Sequence, residues 1–271
     1  MSTVVLHKPA KRVQTHIRME TFQVIPTADG SPTARLGEGE TMHSLRGAFG
    51  ETVYIYGTAL DRATALLADS MADSPRVLSL GLGLGYIEIL SAAYSLKNNV
   101  GLFGESFELV PELISSFKSW LNEEAVSPMV PFSVYDDILN RTASAVSDST
   151  GLTREAAIST TEIKDRLRSA VLNSDWLLRP ALDLETEFTQ AFHCVAFDAF
   201  SSKSTPELWS REFLDHFLKS ACGNACVLST YACTGHLKRA LIDAGFALEI
   251  REGYASKRDS TLATREPNPA T

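Results

Sequence analysis

Five residues constrain this chain more than any others: Gly81-Leu82-Gly83-Leu84-Gly85. Just before them, Arg76 to Leu80 reads as a short apolar strand. Just after them, Tyr86, Ile89, Leu90, Ala93 and Tyr94 recur at helical spacing. A strand, a glycine-rich turn and a helix in that order open a βαβ unit. Glycines in the turn let backbone approach a ligand where any Cβ would collide. The rest of the chain continues the pattern. Val100 to Glu105 reads as a second strand, followed by Val110, Leu113, Ile114, Phe117, Trp120 and Leu121 along one helical stripe. Cys194 to Phe197, Ala225 to Thr230 and Phe246 to Ile250 read as further strands. Helices over Arg211 to Lys219 and Gly235 to Ala244 lie between them, the last closed by Gly245. Strands alternating with helices predict an α/β fold with a doubly wound parallel sheet.

Two regions depart from this alternation. Upstream, Phe22 to Ile25 and Thr33 to Leu36 flank Asp29-Gly30, a hairpin signal, and Thr52 to Tyr56 is a β-branched and aromatic run that reads as another strand. Residues 1–70 are therefore expected to form a β-rich appendage on a domain spanning 71–265, with 266–271 a polar tail. Downstream, residues 141–187 are polar, with Ile163, Leu167, Ala170 and Val171 at helical spacing. They read as an insertion carrying a helix, longer than a usual connection.

Composition narrows the setting. The 271 residues are 44% hydrophobic and 21% charged, which is globular. No apolar run approaches the ~18 residues that span a bilayer, and Val4 to Leu6 is too short for a signal-peptide core. The four cysteines, Cys194, Cys222, Cys226 and Cys233, contain no C-x-x-C pair. Neither a disulfide framework nor a zinc site is expected, so the reading is a cytoplasmic protein with no metal and no membrane partner. Net charge is −8, which disfavours nucleic-acid binding through a uniformly basic surface. Lysines and arginines nonetheless gather at residues 1–20 and again from Thr234 to Arg258, which allows a local basic face.

The glycine loop points to a class of ligand. A dinucleotide fold wants its third glycine at position 86, where this chain has Tyr86. G-x-G-x-G suits S-adenosylmethionine, which has no pyrophosphate. Glu105, 20 residues past Gly85, is expected at the end of the second strand, where a carboxylate accepts hydrogen bonds from both ribose hydroxyls. NAD and S-adenosylmethionine share that need. Gly81, Gly83, Gly85 and Glu105 are thus the candidate cofactor-binding residues.

Three sets of residues carry a family resemblance. Phe197-Asp198-Ala199-Phe200, with Lys203, Pro206 and Trp209, form the first. Ser229-Thr230-Tyr231, Gly235 to Leu241, Ala244-Gly245-Phe246, Gly253-Tyr254 and Lys257-Arg258 form the second. Thr27 to Ser31, Met42-His43-Ser44, Gly47-Ala48 and Glu51-Thr52 form the third. Together they resemble the MnmC-type tRNA methyltransferases over residues 21–135 and 175–262, in the stand-alone form without an FAD oxidase domain. The resemblance implies a class I, Rossmann-like S-adenosylmethionine-dependent fold. It implies methylation of the aminomethyl group of a wobble-position 5-aminomethyl-(2-thio)uridine, with tRNA as partner. The chain departs from the family in Ser79, where an acid usually stands two residues before the loop, and in Ser201-Ser202, which replace Ala-Pro. The family's adenine-side acid falls on Asp183 by spacing to Asp198, with Asp136 or Asp137 as alternatives.

Methyl transfer from a sulfonium is an in-line displacement, so catalysis is largely positioning. Asp198, at the carboxyl end of the Cys194 to Phe197 strand, is the candidate catalytic residue, holding the amine and accepting or relaying its proton. Phe200 and Trp209 either stack on the uridine or belong to the core. Lys203 is a substrate-side candidate by the resemblance. Lys238, Arg239, Lys257 and Arg258 either contact tRNA phosphates or form a solvated basic face. Two other functions compete with this one: a small-molecule or protein acceptor, and a non-catalytic cofactor-binding module.

Overall fold

The structure is a computed structural model that describes residues 22–36, 41–67, 74–124, 128–150, 157–188, 190–199, 204–256 and 259–267. Strands β1 (Phe22–Pro26) and β2 (Pro32–Leu36) form the expected antiparallel hairpin, with Val24 opposite Ala34. A helical segment follows: α1 (Ala48–Thr52) passes through a wide π turn (Val53–Gly57) into α2 (Thr58–Leu66). The alternating part then runs β3 (Arg76–Leu80), α3 (Tyr86–Lys97), β4 (Phe103–Glu108), α4 (Pro111–Asn122), α5 (Phe132–Thr150), α6 (Thr160–Leu172) and β5 (Trp176–Pro180). It continues with β6 (Phe192–Phe197), α7 (Arg211–Ser220), β7 (Cys222–Thr230), α8 (Gly235–Asp243), β8 (Ala247–Arg251) and β9 (Ser260–Arg265).

The large sheet has the order β5-β4-β3-β6-β7-β9-β8. Strands β3 to β7 are mutually parallel, and β9 lies antiparallel between β7 and β8. Strand order reverses between β3 and β6, which opens the ligand crevice at their carboxyl ends. One face of the sheet packs Val77 and Trp176 against Leu90, Phe117, Trp120, Tyr135 and Leu167. The other packs Leu78, Leu80, Phe107 and Phe197 against Phe213, Phe217 and Leu237.

Four elements differ from the sequence expectations. The Thr52 to Tyr56 run is helical, not a strand. Ala48, Thr52, Tyr56, Ala59 and Ala63 are all buried, and their spacing of three and four residues outweighs the local β-branched preference once the segment packs on the sheet. The second strand is shifted to Phe103–Glu108. Residues 141–187 are no insertion, because they hold the end of α5, all of α6 and β5, which pairs with β4 through Gly104 and Trp176. As an edge strand with Leu177 exposed, β5 has too short an apolar run to announce itself. Helix α6 opens with a capping box, Ser159 accepting from the Glu162 N–H at 3.2 Å and Glu162 accepting from the Ser159 N–H at 2.9 Å. Finally β9, a run of small and polar residues, was not expected to enter the sheet.

Gly85 shows how tightly the loop is seated on this core. Its φ is +75°, and a Cβ there would lie 2.3 Å from the Phe117 ring, which is fully buried and packed edge-on against Tyr135 of α5. Gly85→Ala should therefore destabilise the fold by about 1–3 kcal/mol, read by denaturant unfolding. A change under about 0.5 kcal/mol, the size of an ordinary surface substitution, would show that the ring yields freely.

Candidate active site

The loop leaving β3 arches over the end of β4. The N–H groups of Gly81 and Leu82 both donate to the Phe107 carbonyl, at 3.0 and 3.2 Å. Leu82 and Leu84 turn into the core, so the loop presents its backbone to the crevice. Gly81 has φ +112°, and a Cβ on it would lie 2.9 Å from the carbonyl oxygen of Asp198. That close approach brings the glycine loop and Asp198 together. At Gly83 an added Cβ would meet only the Met42 sulfur, at 3.3 Å.

The shift of β4 moves the strand-end carboxylate. Glu105 pairs with Leu78 in mid-sheet, and its Oε2 accepts from Arg179 of β5 at 2.8 Å. The residue at the end of the strand is Glu108. Its Oε2 accepts from the Gly83 N–H at 2.9 Å and its Oε1 from the Val110 N–H at 2.8 Å, so one side chain ties the glycine loop to the start of α4. Burial raises its pKa, and those backbone hydrogen bonds oppose the rise. Spacing from the glycines pointed to Glu105. The available signal for Glu108 was Pro111, which marks the start of a helix and hence the strand end just before it.

Asp198 lies one residue past the end of β6, half-buried. Its Oδ1 accepts from the Tyr56 hydroxyl at 2.6 Å. Tyr231, just after β7, donates to the neighbouring Ala199 carbonyl at 2.8 Å, which fixes the backbone there. Burial pushes the Asp198 carboxyl well above the usual carboxylate range; the Tyr56 hydrogen bond opposes this, while Glu51 and Glu88 add to it. Tyr56 reaches Asp198 because the π turn is anchored. The Ile55 carbonyl accepts from Ser229 Oγ at 2.7 Å and from Arg251 at 3.3 Å, and π turns of this kind recur at functional sites. Sequence reasoning missed Tyr56 because its segment read as a strand.

Glu88, in the first turn of α3, is fully buried. The Ser106 hydroxyl donates to its Oε1 at 2.6 Å and accepts from Trp176 Nε1 at 2.8 Å, while Oε2 has no hydrogen-bond partner. Burial pushes its carboxyl up to about 7. Ser79, paired with Ser106 across β3 and β4, is buried beneath it.

The other predicted residues separate. Asp183 is exposed in a turn beyond β5, accepting from the Glu185 N–H and the Thr186 hydroxyl at 3.1 and 2.9 Å. Asp136 and Asp137 lie on α5, where they accept from Trp120 Nε1 at 2.9 Å and from Arg141 at 2.8 Å. Trp209 is buried edge-on against Phe197, 5.1 Å between centroids, so its ring is core and not a stacking surface. Lys238 is half-buried and Arg239 exposed near the N-terminus of α8. Phe200, Lys203, Lys257 and Arg258 lie outside the described residues. Among the described residues no cluster of His, Cys, Asp and Glu could hold a metal, and no helix is long and apolar enough to cross a membrane.

Residues 158–266 match a family described as S-adenosyl-L-methionine-dependent methyltransferase. An uncharacterized protein of Methanocaldococcus jannaschii is 26% identical over 92% of this chain and 61% of its own length. The tRNA 5-methylaminomethyl-2-thiouridine biosynthesis bifunctional protein MnmC of Pseudoalteromonas atlantica is 36% identical over 23% of this chain and 9% of its own. The chain thus spans about three fifths of the archaeal relative and about a tenth of the bifunctional one. The crystal structure of MNMC2 from Aquifex aeolicus shares the fold, with a TM-score of 0.61, 20% identity, and coverage of 93% of this chain and 73% of that one.

The buried acid under the loop has a measurable signature. Glu88 rises from 4.5 to about 7 on folding, so it stabilises the folded state while protonated and loses that stabilisation as pH climbs across this window. Glu88→Gln should therefore gain on the wild type by ~3 kcal/mol between pH 4.5 and 7, with no further change above. Chemical unfolding at a series of pH values reads the difference. A difference that stays constant with pH would place this carboxyl in solvent.

Proposed function

We propose that this chain is an S-adenosyl-L-methionine-dependent methyltransferase of the MnmC type, a reading supported by the family match and the MnmC relatives, and that its acceptor is the aminomethyl group of a 5-aminomethyl-(2-thio)uridine in the wobble position of tRNA. The observation that carries this reading is Asp198, whose carboxylate is held by Tyr56 and whose backbone carbonyl lies against the Gly81 turn. An amine acceptor brought to a methyl donor needs a hydrogen-bond acceptor and a place for its proton, and a carboxylate offers both. The names of the MnmC relatives, which concern tRNA 5-methylaminomethyl-2-thiouridine biosynthesis, point to the same acceptor.

The crevice suits the cofactor. Tyr86 stands where a dinucleotide fold has its third glycine, and a carboxylate that a nucleoside ribose could use sits at the end of β4. Glu108 would accept from the ribose hydroxyls, in the role the sequence assigned to Glu105, and Asp183 would reach the adenine side from beyond β5. Bound there, S-adenosyl-L-methionine supplies an electrophilic methyl group. The chain's own residues do the rest. Asp198 accepts a hydrogen bond from the acceptor amine, aligns it and takes up the proton that it sheds. Desolvation makes this carboxyl more basic than a free aspartate, which brings it nearer to the operating pH that general-base transfer favours. Lys238 and Arg239, near the N-terminus of α8, hold tRNA phosphates outside the crevice.

Incubating the protein with S-adenosyl-L-methionine and tRNA bearing aminomethyluridine should yield the methylaminomethyl nucleoside by mass spectrometry. Asp198→Asn should lower that rate by roughly 10²–10⁴-fold with cofactor affinity unchanged; near wild-type turnover removes Asp198 from the mechanism. Replacing Lys238 and Arg239 together by Ala should weaken tRNA binding and flatten its salt dependence, by about one unit of slope for each phosphate that is no longer neutralised. If the unaltered protein binds no tRNA at low salt, the acceptor is a smaller amine.

A further inference from the structure

We propose that Tyr56 is the positioning residue of the acceptor site, its phenol fixing Asp198 Oδ1 so that Oδ2 receives the amine. The inference rests on the reading of Asp198 given above. A buried phenol needs some hydrogen-bond partner, and a backbone carbonyl would serve for packing alone. Here the partner, at 2.6 Å and 142 positions away in sequence, is the carboxylate of Asp198, the residue whose backbone lies against the glycine loop.

Everything around Tyr56 serves to place it. The ring is buried with Ile55, Ile87 and Ala196, with Tyr231 against them. The turn that carries it is held by Ser229 and Arg251 from β7 and β8. Upstream, the Ser44 N–H donates to Glu51, and Tyr54 donates to the Glu252 carbonyl at 2.8 Å, so α1 and the π turn are pinned at both ends. The groups that face Asp198 are Tyr56 from the π turn, Glu51 from α1 and Glu88 from α3. Both carboxylates repel its charge, and among the described residues Tyr56 is the side chain that donates to it. Burial, with the Asp198 charge beside it, holds the phenol well above its ordinary value, so Tyr56 stays protonated and acts as a fixed donor, never as the base.

A donor to the charged form keeps a carboxylate ionised. Removing it should let Asp198 take up a proton at higher pH, by about one pH unit for a charge-assisted bond. The experiment follows the Asp198 carboxyl directly by ¹³C NMR of aspartate-labelled protein, assigned with Asp198→Asn. In Tyr56→Phe the Asp198 titration should move to higher pH by about one unit, with S-adenosyl-L-methionine affinity unchanged. On tRNA bearing aminomethyluridine, the ratio of variant to wild-type kcat/KM cancels the amine's own titration. That ratio should fall about tenfold on the acidic side and recover at alkaline pH. A purely structural role would lower the rate at every pH and leave the titration alone. Difluorotyrosine at position 56 keeps the ring and is a stronger donor, so it should move the titration the other way even if Tyr56→Phe folds poorly. An Asp198 titration that stays put in both variants overturns the inference. A titration that moves while Asp198→Asn retains full turnover keeps the Tyr56–Asp198 coupling and sinks instead the acceptor reading on which it was built.

Discussion

The site depends on one backbone contact, where the end of β3 meets the end of β6. The Gly81 Cα faces the Asp198 carbonyl so closely that a methyl group would not fit between them. Parallel strands that diverge at a reversal of strand order normally leave a crevice there. Here the glycine turn narrows it and sets the floor for both halves of the site. On the β4 side, Glu108 captures the Gly83 N–H and holds the turn open toward the strand ends. On the β6 side, Tyr231 and Tyr56 fix the backbone and the carboxylate of the Asp198 corner.

Around this contact the protein gathers three buried or half-buried carboxyl groups. Glu88 and Glu108 are almost wholly inaccessible, and Asp198 is half-buried, all raised by desolvation. Carboxylates in such places cost stability unless something compensates. Glu108 has two backbone donors and Asp198 one phenol, but Glu88 has a single hydroxyl and one oxygen unpaired. A cationic sulfonium and a protonated amine are the ligands that such a lining favours.

The βαβ opening was legible because glycine spacing and helical stripes are local signals, and the fold followed from their alternation. Asp198 was legible for the same reason, since it sits in a short run with fixed neighbours. Strand ends were not: moving β4 by three residues exchanged Glu105, ion-paired to Arg179, for Glu108 under the loop. Nothing within Val100 to Glu108 distinguishes those carboxylates; their strand partners do. Tyr56 was hidden differently. A β-branched stretch signals a strand by itself, and only packing against β6 and β7 winds it into a π turn. Trp209, picked out by motif, is core because the turn that carries it lies over Phe197.

This placement also sorts the N-terminal residues of the family resemblance. Thr27, Asp29 and Ser31 bond to one another, and the Ser31 hydroxyl accepts from the Phe49 N–H at 3.0 Å. Glu51 accepts from Ser44. These residues seat α1, and α1 leads into the turn that delivers Tyr56. What reads as an appendage is therefore one wall of the crevice. The wall separates charge on the proposed reading: carboxylates line the interior where cationic groups react, while Arg239 and Lys238 stand at its rim. A polyanion as large as tRNA would be repelled by the interior and held by the rim. Only a base turned out of its stack, carrying its amine inward, would then satisfy both.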